Sequence, residues 1–285
     1  MTQTFKTSKT WKIMSTKMSD AQQKDLPTPL LTYFPLHKQV KVFSTTRSGG
    51  VSKGCYSSFN INPYCGDEPK AIQSNRIALC AELQLSADRV LLPHQVHGVE
   101  TRVIEKDFFS LSPSTQHLLL EGVDALITSV PQVCIGVSTA DCIPVLLYDT
   151  KHHAIAAIHA GWRGTVQRIV QHTLSMMRQV YDTSAADVYA CIGPGISLKN
   201  FEVGDEVFER FAKAGFPLSS ISVKKTKWHI DLPECNRLQL IEEGVKAHHI
   251  LQTGICTYDQ IDQYFSARRL GVASGRIYNG ILLNE

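Results

Sequence analysis

The stretch Ser138-Thr139-Ala140-Asp141-Cys142-Ile143-Pro144-Val145-Leu146-Leu147-Tyr148-Asp149-Thr150-Lys151-His152-His153-Ala154-Ile155-Ala156-Ala157-Ile158-His159 decides how this chain folds. Its two arms, residues 143–148 and 153–159, are short and apolar, and the residues between them favour a turn. A tight turn at 149–152 pairs the arms antiparallel and sets His159 opposite residue 143 or 144. Cys142 then lies on the same rim. Opposed and diagonal Cβ atoms in such a ladder stand about 4.5–8 Å apart, a span that one metal ion or a Cys/His catalytic pair bridges.

Working outward, residues 124–129 and 133–138 read as two more buried strands, and 40–45 as another, followed by the Gly-rich turn Arg47-Ser48-Gly49-Gly50. Asp67-Glu68-Pro69 opens a helix with Ile72, Arg76, Leu79 and Leu83 on one face. Residues 165–180 are amphipathic at helical spacing, with Thr165 as the expected cap. Asp231, followed by Pro233 and Glu234, caps a further helix that ends near Gly244. Strands cluster mid-chain while helices intervene irregularly, which predicts an α+β fold of layered mixed β-sheets with flanking helices. Residues 1–25 are polar and aperiodic and read as a disordered extension; 26–285 read as one catalytic domain.

The chain has 285 residues, 43% of them hydrophobic, enough for a sizeable core. Its net charge of +3 comes from scattered Lys and Arg rather than a basic stripe, so nucleic acid is not an expected partner. No apolar run is long enough for a membrane span or a signal peptide. Eight cysteines without a repeated spacing exclude a disulfide scaffold, and Cys55, Cys80, Cys134 and Cys191 read as buried small hydrophobes. The expectation is a cytoplasmic protein, monomeric or homodimeric.

His97, Cys142 and His159 are the candidate metal ligands. Two neutral imidazoles and a thiolate suit Zn2+ with its fourth position open, the arrangement of catalytic zinc. His94 competes with His97, and Gly98 beside His97 leaves room for close approach. After His159, the run Ala160-Gly161-Trp162-Arg163-Gly164-Thr165 leads from strand to helix and reads as an anion cradle with Arg163 as its fork. Arg47, in its Gly-rich turn, is a second candidate for phosphate. Asp141 reads as a general base or as a turn cap.

The segments Thr45-Thr46-Arg47-Ser48-Gly49-Gly50-Val51-Ser52, Gln95-Val96-His97-Gly98, Thr139-Ala140-Asp141-Cys142, His159-Ala160-Gly161-Trp162-Arg163-Gly164 and Ile192-Gly193-Pro194-Gly195-Ile196 resemble the YfiH family, also called the laccase-domain or polyphenol oxidase family. Phe201-Glu202-Val203-Gly204, Asp231-Leu232-Pro233, Ile255-Cys256-Thr257 and Phe265-Ser266 with Arg268-Arg269 extend the likeness to about residue 280. The resemblance implies a fold related to cysteine hydrolases. It implies phosphorolysis of adenosine, inosine, guanosine and S-methyl-5′-thioadenosine, together with adenosine deamination, at a zinc held by His97, Cys142 and His159. Purine nucleosides and phosphate would be the partners. Family members often carry a Cys soon after Ile-Gly-Pro, where this chain has Gly195.

Deamination needs a proton shuttle, and the sequence lacks the His-x-Glu and Pro-Cys-x-x-Cys of nucleobase deaminases, which leaves Asp141 as the candidate. Two other classes compete. A metal-free cysteine hydrolase would use Cys142 as nucleophile and His159 or His97 as base. A copper polyphenol oxidase would need many clustered imidazoles, yet no His-x-His occurs among the 11 histidines.

Overall fold

The structure is a computed structural model that describes residues 26–284, so the expected extension at 1–25 lies outside the described residues. The strands are β1 (Leu31–Phe34), β2 (Val40–Thr45), β3 (Val90–Leu91), β4 (Thr101–Val103), β5 (Ala125–Thr128), β6 (Cys134–Thr139) and β7 (Ile143–Asp149). They continue with β8 (Ala154–Ala160), β9 (Val188–Ile192), β10 (Glu202–Val203), β11 (Ser222–Lys224), β12 (Trp228–Ile230), β13 (Ile250–Gln252) and β14 (Ile277–Leu283). The α-helices are α1 (Pro69–Leu83), α2 (Pro113–Leu119), α3 (Trp162–Val166), α4 (Ile169–Tyr181), α5 (Asp205–Lys213), α6 (Leu218–Ile221), α7 (Leu232–Glu242) and α8 (Ala267–Leu270).

Three mixed or antiparallel sheets result, in the orders β1-β2-β14-β6-β3, β10-β12-β11 and β13-β9-β7-β8-β5-β4. The expected hairpin is present, with β7 antiparallel to β8 and Pro144 opposite His159. Its turn is held by Asp149, whose Oδ1 accepts from Lys151 N at 2.9 Å and His152 N at 3.2 Å.

Side chains alternate across the six-stranded sheet and both faces are buried, which explains why β7 and β8 are apolar along most of their length, with Asp149 and His159 near their ends. Leu146, Tyr148, Ile155 and Ala157 face the five-stranded sheet, meeting Val42, Ile135, Val137 and Ile281. Val145, Leu147, Ala156 and Ile158 face the other way, onto Ile169, Leu174 and Met177 of α4 and Leu240 of α7. On the far side of the five-stranded sheet, α1 buries Ala78, Leu79 and Leu83 against Phe43, Val90 and Tyr278. The layers therefore run helix, sheet, sheet, helices, the α+β arrangement expected from sequence. Each fully buried aliphatic side chain in them contributes about 1.5–3 kcal/mol of apolar transfer.

Several local expectations hold. Pro69 starts α1, and Asp231 Oδ1 caps α7 by accepting from Glu234 N at 3.0 Å. The expected 165–180 helix is corrected: Gly161 caps α3 at Trp162, and Arg168, at φ +65°, separates α3 from α4. Thr165 is no cap, since its hydroxyl donates inward to Ala160 O at 3.5 Å. The break at Arg168 is held by tertiary contacts, with the guanidinium on Ala214 O at 2.7 Å and 3.9 Å from the Phe216 ring centroid. Cys80, Cys134 and Cys191 are buried as expected, whereas Cys55 is exposed in a short turn outside the sheets. No helix among the described residues is long and apolar enough to cross a membrane.

Candidate metal centre and its cavity

Ligand atoms of His97, Cys142 and His159 all lie within 4.8 Å of one another, the one such group of three His, Cys or acidic side chains found among the described residues. Three elements supply them. Cys142 immediately precedes β7, His159 lies in β8, and His97 belongs to the loop between β3 and β4. Ladder pairing places the first two. His97 needs long-range help, and two side chains provide it.

Gln95 grips the end of β6, its Nε2 donating to Ser138 O at 2.9 Å and its Oε1 accepting from Ser138 N at 2.7 Å. Asp124, wholly buried, takes three consecutive N–H groups of the loop: Val96 at 3.2 Å, His97 at 3.0 Å and Gly98 at 2.7 Å. The same carboxylate accepts from His159 Nδ1 at 2.7 Å. That bond orients the imidazole and leaves its Nε2 for a metal, the usual role of a carboxylate behind a ligating histidine. Asp124 thus ties two ligands together.

His97 and Asp141 adopt left-handed backbone conformations, φ +63° and +87°, held by these surrounding contacts. Gly161 closes the third side. A Cβ there would stand 2.9 Å from His97 Cδ2 and 3.1 Å from Cys142 Sγ, so the glycine leaves the cluster its room.

Electrostatics in the cluster follow from its burial and its charges. Burial disfavours the Asp124 anion, yet the hydrogen bond and charge of His159 and the loop N–H groups hold its carboxyl below the usual range. Burial would raise the Cys142 thiol, but the charge and hydrogen bond of His159, with His97 adding to them, bring it down from 9.0 to about 6. His159 moves the other way, from 6.5 to about 9: Cys142 and Asp124 outweigh the burial that lowers it. A thiolate already favoured by its neighbours, an oriented imidazole and a second imidazole fit a borderline-soft cation such as Zn2+.

The cluster opens on a cavity of about 500 Å3, also lined by Tyr64, His94, Asp141, Arg268 and Arg276. His94 is not in the cluster. Its ring stacks on Tyr64 at 4.1 Å and its Nδ1 donates to Glu121, so of the two histidines it is His97 that lies with Cys142 and His159.

Three further expectations are redirected. Arg47 donates from Nε to Ser57 O and from Nη1 to Ile261 O at 2.9 Å each, lies over Phe265, and does not line the cavity of the cluster. Arg163 is exposed over the Trp162 ring at 4.6 Å and does not line the cavity, α3 is only five residues long, and Thr165 is turned inward. Asp141 lines the cavity, but both its oxygens are engaged, by Thr257 Oγ1 at 2.8 Å and Arg268 N at 2.7 Å, so it acts as an anchor for the wall. Arg276 is folded onto its own loop through Ser274 O, Gly275 O and Val272 O. Arg268 donates a single bond, Nη1 to Glu202 O at 2.9 Å, and is the cation most available to the cavity.

Sequence reasoning missed Asp124, Gln95 and Arg268. An Asp heading an otherwise apolar strand was the available signal for the first. At Gly195, a Cβ would meet Ile143 Cδ1 at 2.3 Å and the carbonyl oxygens of Asp141 and Cys142 at 3.1 and 3.3 Å, so the position is tightly packed in this chain.

Known proteins share this arrangement of chain. A purine nucleoside phosphorylase of Bacteroides thetaiotaomicron is 48% identical over 252 residues, covering 87% of this chain and 93% of that protein. The adenosine deaminase RL5 of an unknown prokaryotic organism is 41% identical over 246 residues, covering 85% and 93%. The crystal structure of the Bacillus licheniformis protein YfiH superposes with a TM-score of 0.83 at 26% identity, covering 91% of this chain and 98% of that one. Residues 41–284 match the family model described as multi-copper polyphenol oxidoreductase laccase, and with the shared fold this places the chain in that laccase-domain, YfiH-type family.

Proposed function

We propose that this chain is a zinc-dependent purine nucleoside phosphorylase, acting on adenosine, inosine, guanosine and S-methyl-5′-thioadenosine, with adenosine deamination as a second activity. The observation that carries the proposal is the joining of the His97, Cys142 and His159 group to one cavity of about 500 Å3. That volume suits a small-molecule substrate. The names of the relatives, a phosphorylase and a deaminase, point to the same two reactions.

A zinc ion held by the three ligands would supply Lewis-acid polarisation and activation of water. The remaining work falls to side chains. In phosphorolysis the bond from C1′ to the purine nitrogen breaks, a phosphate oxygen bonds to C1′, and the base leaves with a proton. Arg268 binds and orients the phosphate. Tyr64 and His94 form an aromatic wall for the purine, and burial, followed by the Glu121 charge, pushes the Tyr64 hydroxyl up to about 12, so it stays a hydrogen-bond donor. Asp141 and Thr257 hold the wall that carries Cys142.

Copper is the metal of the family description. One group of a thiolate and two imidazoles among the described residues makes a single-ion centre rather than the imidazole-rich cluster of multi-copper chemistry. A second reading has one observation in its favour: Cys142, His159 and Asp124 line up as nucleophile, base and orienting carboxylate. Turnover of an amide substrate by metal-stripped protein, abolished by iodoacetamide, would select it.

Arg268→Ala tests the phosphate role. The expected result is a KM for phosphate raised roughly tenfold or more, with phosphate-independent deamination little changed. An unchanged KM for phosphate removes Arg268 from the mechanism.

A further inference from the structure

A second cavity, of about 440 Å3, lies outside the metal centre and shares no lining residue with the first. It sits where the parallel pair β9 and β13 ends, at Ile192 and Gln252. Crevices beyond the carboxyl ends of parallel strands are common ligand sites, because chains leaving the sheet diverge there. Gly193, Gly195 and Gly254 line it with bare backbone.

Its polar groups are graded by depth. His229, only 7% exposed, donates from Nδ1 to Leu198 O at 3.1 Å, which fixes its tautomer and leaves Nε2 as an acceptor. No described residue hydrogen-bonds that Nε2, although the ring lines the cavity. Asp231, half-buried, uses Oδ1 to cap α7, and Oδ2 has no hydrogen-bond partner among the described residues. The interior thus presents two acceptors. At the rim stand two exposed ammonium groups, Lys199, 3.8 Å from Asp259, and Lys225, which donates to Lys199 O at 3.4 Å. Ile192, Val223, Pro233 and Ile255 supply apolar walls between them.

Inner acceptors, apolar walls and a cationic rim together describe the ligand: a donor head, an apolar body and an anionic tail. We propose that this cavity binds a 6-aminopurine nucleoside monophosphate, its exocyclic amine to Asp231 and His229 Nε2 and its phosphate to Lys199 and Lys225. The site is separate from turnover at the metal centre; its donor head and anionic tail follow from this cavity's own groups, while the purine body rests on the phosphorylase reading, and binding is measured independently of turnover. It is adjacent to that centre all the same: a Cβ built on Gly195 would lie 3.1 and 3.3 Å from the carbonyl oxygens of Asp141 and Cys142, and Gly195 N–H and Ile196 N–H donate to Ile255 O and Asp141 O.

The test is calorimetric titration of full-length zinc-loaded protein with adenosine 5′-monophosphate. Asp231→Asn keeps a capping oxygen for α7 while removing the charge, and Lys225→Ala lies at an exposed position, so both variants keep the fold. Each is expected to weaken binding roughly tenfold or more, whereas Arg268→Ala, in the metal cavity, leaves it intact. Adenosine, lacking the anion, and ribose 5-phosphate, lacking the amine, are expected to bind at least about tenfold more weakly than the nucleotide. The proposal is overturned by no binding up to about 1 mM, by ribose 5-phosphate binding equally well, or by loss of binding in Arg268→Ala with Asp231→Asn and Lys225→Ala unaffected.

Discussion

A methyl group at position 161 would stand 2.9 Å from His97 Cδ2 and 3.1 Å from Cys142 Sγ, and the backbone there is ordinary, with φ −67°. Gly161→Ala therefore carries no conformational strain of its own and acts through the space the cluster needs. The expected outcome is a folded protein with near-native circular dichroism and sharply reduced zinc by elemental analysis. Full zinc occupancy would show that the metal site does not depend on the space at position 161. The cluster's charges give a second prediction, for metal-free protein. The thiol is depressed to about 6, so its contribution to stability is present above its ordinary 9.0 and lost as pH falls through about 6. His159 is raised to about 9, so its contribution is present below 6.5 and lost as pH rises through about 9. The ion pair accordingly spans pH from about 6 to about 9. Alkylation of Cys142 by iodoacetamide in stripped protein should titrate with a midpoint near 6, whereas a midpoint near 9 would mean an ordinary thiol.

At the scale of elements, the hairpin from β7 to β8 carries the site. Asp149 is buried at its turn, accepting from two backbone N–H groups and from His152 Nδ1 at 2.9 Å. Asp149→Ala should cost about 1–3 kcal/mol, read as a lower denaturation midpoint with an unchanged m-value. No change would show that the ladder alone sets the turn. This hairpin was legible in sequence because everything that makes it is local: two apolar arms, a polar turn and a register fixed by both. The helix after β8 was legible only in part. Gly161 and Gly164 suggest a turn, yet the chain is helical from Trp162, and a Cβ at Gly164 would stand 3.0 Å from Gly98 O. Tertiary packing overrode a local signal there. Arg47 and Arg163 read as anion binders because a guanidinium beside glycine suggests exposure to ligand. For Arg47 the contacts are the carbonyls at 57 and 261, beyond a local window, whereas Arg163 lies over its own neighbour Trp162, a side-chain orientation that sequence pattern does not record.

Across the whole molecule, the metal centre is a meeting of distant segments. Asp124 joins a loop 26 to 28 residues before it in the chain to a histidine 35 residues after it, and Arg268 reaches the cavity from beyond residue 260. Such contacts depend on how the two large sheets face each other, which no motif records. The layered α+β class was readable because buried strands and amphipathic helices have different periods; the positions of Asp124, Gln95 and Arg268 follow only from the packed fold. The central claim, a zinc-dependent phosphorylase, stands or falls on product analysis. Zinc-loaded and metal-stripped protein should each be incubated with adenosine, with and without phosphate, and adenine, ribose 1-phosphate and inosine quantified. Zinc-loaded protein is expected to form adenine and ribose 1-phosphate in equal amounts only when phosphate is present, and inosine in its absence. No product from any purine nucleoside with zinc bound, or equal turnover after the metal is removed, would contradict the account.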